Sequence, residues 1–193
     1  MELYGVYLSP YTRRIAIALN LLDMPYTHNA VRVFERPDVV REHNPLTRVP
    51  TLVLEDGSAL IESGAILDEI DQMAGPDRAL TPPSGPSRRA VLQIAALGVG
   101  VMEKAQWAFY ETRFHPEEKV QVIAGLEHLN GLAKAAGDGW MAGTQAISQA
   151  DISVAVAHSF AKKVRPALTL NVPDLDKFTT RCEALPAFQA TAL

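Results

Sequence analysis

The chain is nearly devoid of cysteine: among 193 residues only Cys182 carries a thiol. That excludes an internal disulfide framework and every zinc site that needs two or more thiolates. A basic excess is absent as well. Lys and Arg number 18 against 22 Asp and Glu, a net charge of −4, whereas non-specific nucleic-acid binding needs the opposite balance. Long apolar runs are also missing. The longest, near 90–102, is broken by Gln93, Gly98 and Gly100, well short of the ~20 residues that span a bilayer. The five histidines are scattered without metal-binding spacing, so no metal is expected. No basic segment followed by an apolar stretch marks the start as a signal peptide. What remains is a globular composition, 48% hydrophobic and 21% charged. A soluble, cytoplasmic protein is expected, with no membrane or nucleic-acid partner.

What is present divides in two. Residues 75–86 hold four prolines and two glycines, a density hostile to helix and strand alike. The segment before Gly75 carries 6 Lys/Arg against 11 Asp/Glu, and the remainder 12 against 11. The expected domains are 1–75 and 87–193, joined by a linker over 76–86.

The first part alternates strand and helix signals. Leu3–Leu8 is short, apolar and aromatic, a buried-strand pattern. Ser9-Pro10 opens a helix that Pro25 stops. Tyr26–Val33 predicts a second strand, and Pro37–His43 a short helix closed by Asn44-Pro45. Thr51–Leu54 and Ala59–Ile61 flank Asp56-Gly57 and predict an antiparallel hairpin. Ser63 then opens a helix to about Met73. The order is β-α-β-α-β-β-α, with the first two strands parallel through a right-handed crossover.

The second part is helical in period throughout. Helices are predicted over Ser87–Phe114 and Pro116–Ala136, from Ser148, and from Asp174. Ile152, Val156, Phe160 and Val164 recur every fourth residue, one buried stripe. Ser148-Gln149-Ala150-Asp151 fits a capping box, and Ile147 with Ile152 fits a hydrophobic staple. Cys182 lies on an apolar helix face, as an inert core thiol would.

Three short features could carry chemistry, and each has a structural alternative. Ser9-Pro10 is a good N-cap and N1 pair. The same junction gathers backbone N–H groups and the positive end of the helix dipole, so it could hold an anion such as a thiolate. Val49-Pro50 could simply enter a strand. As a cis peptide it could instead present the Val49 backbone to an extended peptide. Glu62-Ser63 could be a surface acid and a cap. It could also clamp an amino-acid end, with Ser63 and the helix start on the carboxylate and Glu62 on the ammonium. Trp107, Phe109, Tyr110 and Phe114 cluster late in one helix, as core or as pocket lining.

Three stretches come in a fixed order: Ser-Pro-Tyr-Thr-Arg-Arg at 9–14, Asn-Pro-Leu-Thr-Arg-Val-Pro at 44–50, and Asp-Gly-Ser-Ala-Leu-Ile-Glu-Ser at 56–63. With the Pro-rich linker and the helical second part, the chain resembles the cytosolic glutathione S-transferase superfamily over nearly its whole length. The resemblance implies an α/β thioredoxin-like glutathione-binding domain followed by an all-α bundle. It implies that Val49 pairs with the cysteinyl backbone of glutathione, that Pro50 is cis, and that Glu62 and Ser63 hold the γ-glutamyl end. Arg48 stands near the position of a residue that reaches the glycine carboxylate. Ser9 matches the position from which serine-type members hydrogen-bond the glutathione sulfur, with Tyr7 as the alternative. Family members are usually homodimers with an electrophile pocket between the two domains. Tyr11, Trp107, Tyr110 and Phe114 are its candidate lining here.

The implied activity is transfer of glutathione to a small hydrophobic electrophile, with glutathione as co-substrate and no metal. The same thiolate would serve an isomerase, a peroxidase or a dehalogenase. A non-catalytic glutathione-binding or regulatory member would keep the site without turnover.

Overall fold

Pairing between four three-residue strands organises the first part of the chain. The computed structural model describes residues 1–110, 116–164 and 171–192, with side chains over the same residues except 108–110 and 116–121. Strand β1 (Glu2–Tyr4) pairs parallel with β2 (Thr27–Asn29), and Leu3 lies opposite His28. On its other side β1 pairs antiparallel with β3 (Thr51–Val53), which pairs antiparallel with β4 (Ala59–Ile61). The strand order is β2-β1-β3-β4. Helix α1 (Pro10–Leu21) makes the crossover between β1 and β2, α2 (Pro37–Arg41) precedes β3, and α3 (Ser63–Ala74) follows β4. This mixed four-stranded sheet with its helices is the thioredoxin-like arrangement.

The first two strands end sooner than their apolar runs suggest. Gly5 takes φ 131°, a conformation open to glycine and rare for other residues. The chain therefore leaves the sheet after Tyr4, and Val6, Tyr7 and Leu8 form a loop rather than strand. The Ser9 N–H closes that loop on the Val6 carbonyl at 3.0 Å. Strand β2 stops at Asn29, where the predicted run continued to Val33. Leu3, Ile15, Ile17, Leu19, Leu52, Ile66 and Ile70 are fully buried and form this unit's core.

The second unit runs from Leu80 to Leu185. Its helices are α4 (Gly85–Tyr110), α5 (Pro116–Ala136), α6 (Gln149–Val164) and α7 (Pro173–Glu183). Helix α6 is its centre: Ile152, Val154, Val156 and Phe160 are all buried. Ser148 stands at its N-terminus as expected. Its N–H and hydroxyl both donate to Asp151 Oδ2, at 2.9 and 2.7 Å, and the Met141 N–H donates to Oδ1 at 2.8 Å. The Ser148 hydroxyl thus serves the box as a donor to the acid. Burial still pushes the Asp151 carboxyl up, against those three hydrogen bonds. Among the described residues no helix is long and apolar enough to cross a membrane.

Two expected boundaries shift. Leu80 already belongs to the second unit, where its carbonyl accepts the Gln149 N–H at 3.2 Å. The chain from Pro186 onward groups with the first unit instead of the helical one. It contributes a short helix α8 (Pro186–Gln189) that was not predicted. The reason is a set of polar and apolar ties to α1. The buried Arg13 donates from Nε to the Thr191 carbonyl at 2.9 Å and lies 5.9 Å over the Phe188 ring. Asn20 donates to the Ala187 carbonyl at 3.3 Å.

Candidate functional site

The β1–α1 junction is built from the bottom by three residues. Gly5 turns the chain out of the sheet, Ser9 caps α1, and Pro10 supplies its first helical residue. Ser9 has extended backbone angles, φ −69° and ψ 115°, and its Oγ accepts the Thr12 N–H at 3.4 Å. A serine hydroxyl offers one donor and two acceptor lone pairs. The cap uses an acceptor, so the hydroxyl proton stays available to an anion at the helix start. Capping and anion binding are therefore compatible at Ser9. Its side chain is half-buried.

Tyr7 is occupied otherwise. Its ring stacks on His28 with centroids 3.9 Å apart and planes 5° apart. Its hydroxyl lies 3.0 Å from that of Tyr26. Burial, then the hydrogen bond with Tyr7, pushes the Tyr26 phenol up. Tyr4, the other strand-one tyrosine, is buried and donates to Glu2 at 3.0 Å.

The loop before β3 carries Val49-Pro50, and this peptide bond is cis. Among the described residues neither the N–H nor the C=O of Val49 has a hydrogen-bond partner. An extended ligand backbone could take both. Asn44 holds this loop from beneath. It is almost fully buried, donates to the Arg48 carbonyl at 2.9 Å and to Thr51 Oγ1 at 3.2 Å, and accepts the Leu46 N–H at 2.9 Å. Thr51 Oγ1 adds a donation to the Arg48 carbonyl at 3.0 Å. Asn44 was read only as a helix terminator. Its place inside the Asn-Pro…Val-Pro stretch was the available signal.

Gly5 links the two parts. A Cβ built there would come within 2.4 Å of Thr12 Oγ1 and 3.0 Å of the Val49 Cβ. The start of α1 and the cis loop thus meet over a position that only glycine can fill.

Glu62 and Ser63 lie at the third corner. Glu62, not Ser63, occupies the cap of α3, at φ 67°. Ser63 is the first helical residue and is buried. A non-glycine residue at such an angle costs of order 1–3 kcal/mol and is most often found where a site demands it. Arg48 Nη1 lies 3.2 Å from Glu62 Oε1, and both side chains are exposed. The two residues expected at opposite ends of a tripeptide are thus paired with each other.

Of the expected electrophile-facing residues, Tyr11 is half-buried on α1 in the first unit, and Trp107 is half-exposed on α4 in the second. The Tyr110 side chain and Phe114 lie outside the described residues. Cys182 is fully buried, and burial pushes its thiol up to about 12. It cannot supply a thiolate near neutral pH. Among the described residues no cluster of His, Cys, Asp and Glu is arranged to hold a metal ion.

Residues 3–78 match the family model described as the N-terminal domain of glutathione S-transferase. A probable glutathione S-transferase of Oryza sativa subsp. japonica is 30% identical over 140 residues, covering 68% of this chain and 59% of that protein. The matched region therefore spans about three-fifths of that relative's length. Among solved structures, a glutathione S-transferase of Methylobacterium radiotolerans in complex with glutathione sulfonate superposes with a TM-score of 0.88. It is 25% identical, with 98% of this chain and 93% of that one covered. A glutathione S-transferase of Methylobacillus flagellatus with GSH bound superposes with a TM-score of 0.89 at 24% identity, covering 99% and 98%.

Proposed function

We infer that this chain, which belongs to the glutathione S-transferase superfamily, binds glutathione in its first unit and activates the tripeptide's sulfur beside Ser9. The observation that carries this reading is the Ser9 hydroxyl at the start of α1. It caps through a lone pair and keeps its proton for a ligand. The unpaired Val49 backbone, which Gly5 brings close to α1, supports the same reading.

The chemistry follows from the sulfur. A free thiol has a pKa of about 8.5, and only the thiolate attacks well. Lowering that value by about two units turns a few per cent of thiolate into a majority at pH 7. The Ser9 O–H and the first N–H groups of α1 favour the anion, so no separate base has to hold the proton. The Val49 N–H and C=O fix the cysteinyl residue by a two-bond backbone match. The start of α3 with Ser63 takes the γ-glutamyl carboxylate, and Glu62 takes its ammonium. An electrophile held against the sulfur then reacts with the advantage of proximity. Tyr11, Trp107, Tyr110 and Phe114 are the residues we assign to an apolar electrophile.

We take the reaction to be conjugation to such an electrophile, in a cytoplasmic homodimer. Retention on immobilised glutathione followed by turnover of an aromatic electrophile tests the reading. Loss of retention overturns it. Retention without turnover on a panel of electrophiles leaves a glutathione-binding protein in place of an enzyme.

A further inference from the structure

His28 sits on β2, one residue before the strand ends, and its side chain reaches across to the loop that carries Ser9. Its Nε2 lies 2.7 Å from the Gly5 carbonyl oxygen. A carbonyl only accepts, so Nε2 carries the proton in this contact. The Gly5 N–H meanwhile donates to the Asn29 carbonyl at 3.0 Å. Both polar groups of the glycine that turns the chain out of the sheet are therefore held from β2, one by backbone and one by His28. The imidazole face is covered by the Tyr7 ring at 3.9 Å, and the Tyr7 hydroxyl is tied to Tyr26. Four residues of loop separate Gly5 from Pro10, and His28 fixes them at two points, the Gly5 carbonyl and the Tyr7 ring.

The consequence reaches both halves of the site. Gly5 abuts Thr12 on α1 and Val49 on the cis loop. A shift of the Gly5 carbonyl moves the cap on one side and the peptide-binding backbone on the other. Small displacements in such a constellation are costly to catalysis.

We propose that His28 is a positioning residue for the thiolate site: its Nε2–H, donated to the Gly5 carbonyl, fixes the bend that sets Ser9 against the glutathione sulfur. The inference rests on the glutathione reading above and adds a residue on β2, outside the three sequence stretches. His28 does not touch the sulfur; it acts through Gly5.

Two substitutions separate the donor from the ring. His28→Phe keeps a flat ring for Tyr7 to stack on and removes the donor. His28→Gln keeps a donor and removes the ring. The readouts are the ultraviolet thiolate absorbance of bound glutathione across pH, and kcat and KM with an aromatic electrophile. Thermal melting verifies folding, and His28→Met replaces His28→Phe should the latter fail to fold. The expected result for His28→Phe is about tenfold less bound thiolate at a fixed pH and about tenfold lower kcat, with the glutathione KM within about twofold. His28→Gln recovers most of both. An unchanged thiolate titration in a folded His28→Phe overturns the inference, and so does an equal loss in both variants. Absence of a thiolate signal in the unaltered protein overturns the glutathione reading and this inference with it.

Discussion

Arg48 and Glu62 face each other at 3.2 Å across the mouth of the proposed peptide site. The two were expected at opposite ends of glutathione, which as an extended tripeptide spans roughly 10 Å. One of them must leave the pair if both expectations hold. The pair is exposed, and such pairs contribute about 0–1 kcal/mol, so opening it costs little. Arg48→Ala is therefore expected to change glutathione affinity by less than about fivefold. Glu62→Gln removes the charge that meets the ligand ammonium and is expected to weaken binding by about tenfold or more. Calorimetric titration at low and moderate salt distinguishes the two. A larger loss for Arg48→Ala than for Glu62→Gln would reverse the assignment.

Ser9→Ala separates the two uses of one hydroxyl. It leaves the Thr12 N–H without its cap and costs about 1 kcal/mol of stability. It also removes the donor to the thiolate. The expected outcome is a glutathione affinity near that of the unaltered protein and a kcat lower by about 10²-fold or more, by analogy with the loss of one oxyanion donor. Tyr7→Phe removes only the contact with the Tyr26 hydroxyl and keeps the stack on His28. It is expected to cost stability and leave kcat within about threefold. Full activity in Ser9→Ala with loss in Tyr7→Phe would transfer the sulfur contact to Tyr7.

Asn44 accounts for the shape of the cis loop, and its removal is expected to act on binding and stability together. Asn44→Leu is close in size but leaves the Arg48 carbonyl and the Leu46 N–H without their side-chain partner. Leaving buried groups unpaired costs about 1–3 kcal/mol each. Asn44→Asp keeps the acceptor for Leu46 and loses the donor. Denaturant unfolding together with glutathione titration checks both. If Asn44→Leu keeps the affinity of the unaltered protein, the loop does not depend on this residue.

Much of this architecture is legible in the sequence because its signals are local. The Asp56-Gly57 turn, the Ser9-Pro10 cap and the Ser148…Asp151 box each encode a short-range hydrogen-bond pattern, and the corresponding elements form where expected. The errors are those of tertiary context. Val6, Tyr7 and Leu8 look like strand because they are apolar and aromatic, but they are sequestered by His28, Tyr26 and the α1 start rather than by a sheet neighbour. Helix α8 is too short to show a period, and its partners on α1 are more than 160 residues away in sequence. At the site, Ser9, Val49-Pro50 and Glu62-Ser63 come from recognisable stretches. Asn44 and His28 do not announce themselves, because a buried amide and a ring nitrogen become informative only once their carbonyl partners are known.

His158 sets a pH limit on the second unit. It is buried on α6, with Nδ1 2.9 Å from Thr179 Oγ1 and Nε2 3.3 Å from Asp176 Oδ1. Burial pushes it down to about 4, against the pull of Asp176. Between about pH 6.5 and 4 the unfolded chain binds a proton that the folded one does not. Stability is therefore present above about pH 6.5 and lost as pH falls toward 4, by an amount on the order of 3 kcal/mol. His158→Gln is expected to flatten this part of the profile while lowering stability at pH 7. Melting curves between pH 7 and 4.5 check it. An equal acid slope in both proteins would move the cause to other groups.

Gly98 and Gly100 are two positions apart on α4 and should respond in opposite directions to one added methyl group. A Cβ at Gly98 would meet the Ser153 backbone carbon and oxygen of α6 at 2.9 Å, closer than real contacts allow. The obstacle is helix backbone, which cannot swing aside as a side chain would. Gly98→Ala is thus expected to cost about 1–3 kcal/mol as an overpacked helix contact. A Cβ at Gly100 meets nothing within 4 Å. There the usual advantage of alanine in a helix applies, about 0.5–1 kcal/mol. Chemical denaturation of the two variants side by side reads the difference directly. It isolates the α4–α6 approach, because backbone entropy enters both substitutions alike and only the neighbour differs. If Gly98→Ala is as stable as Gly100→Ala, α4 and α6 can separate freely and the close contact at Ser153 does not hold them.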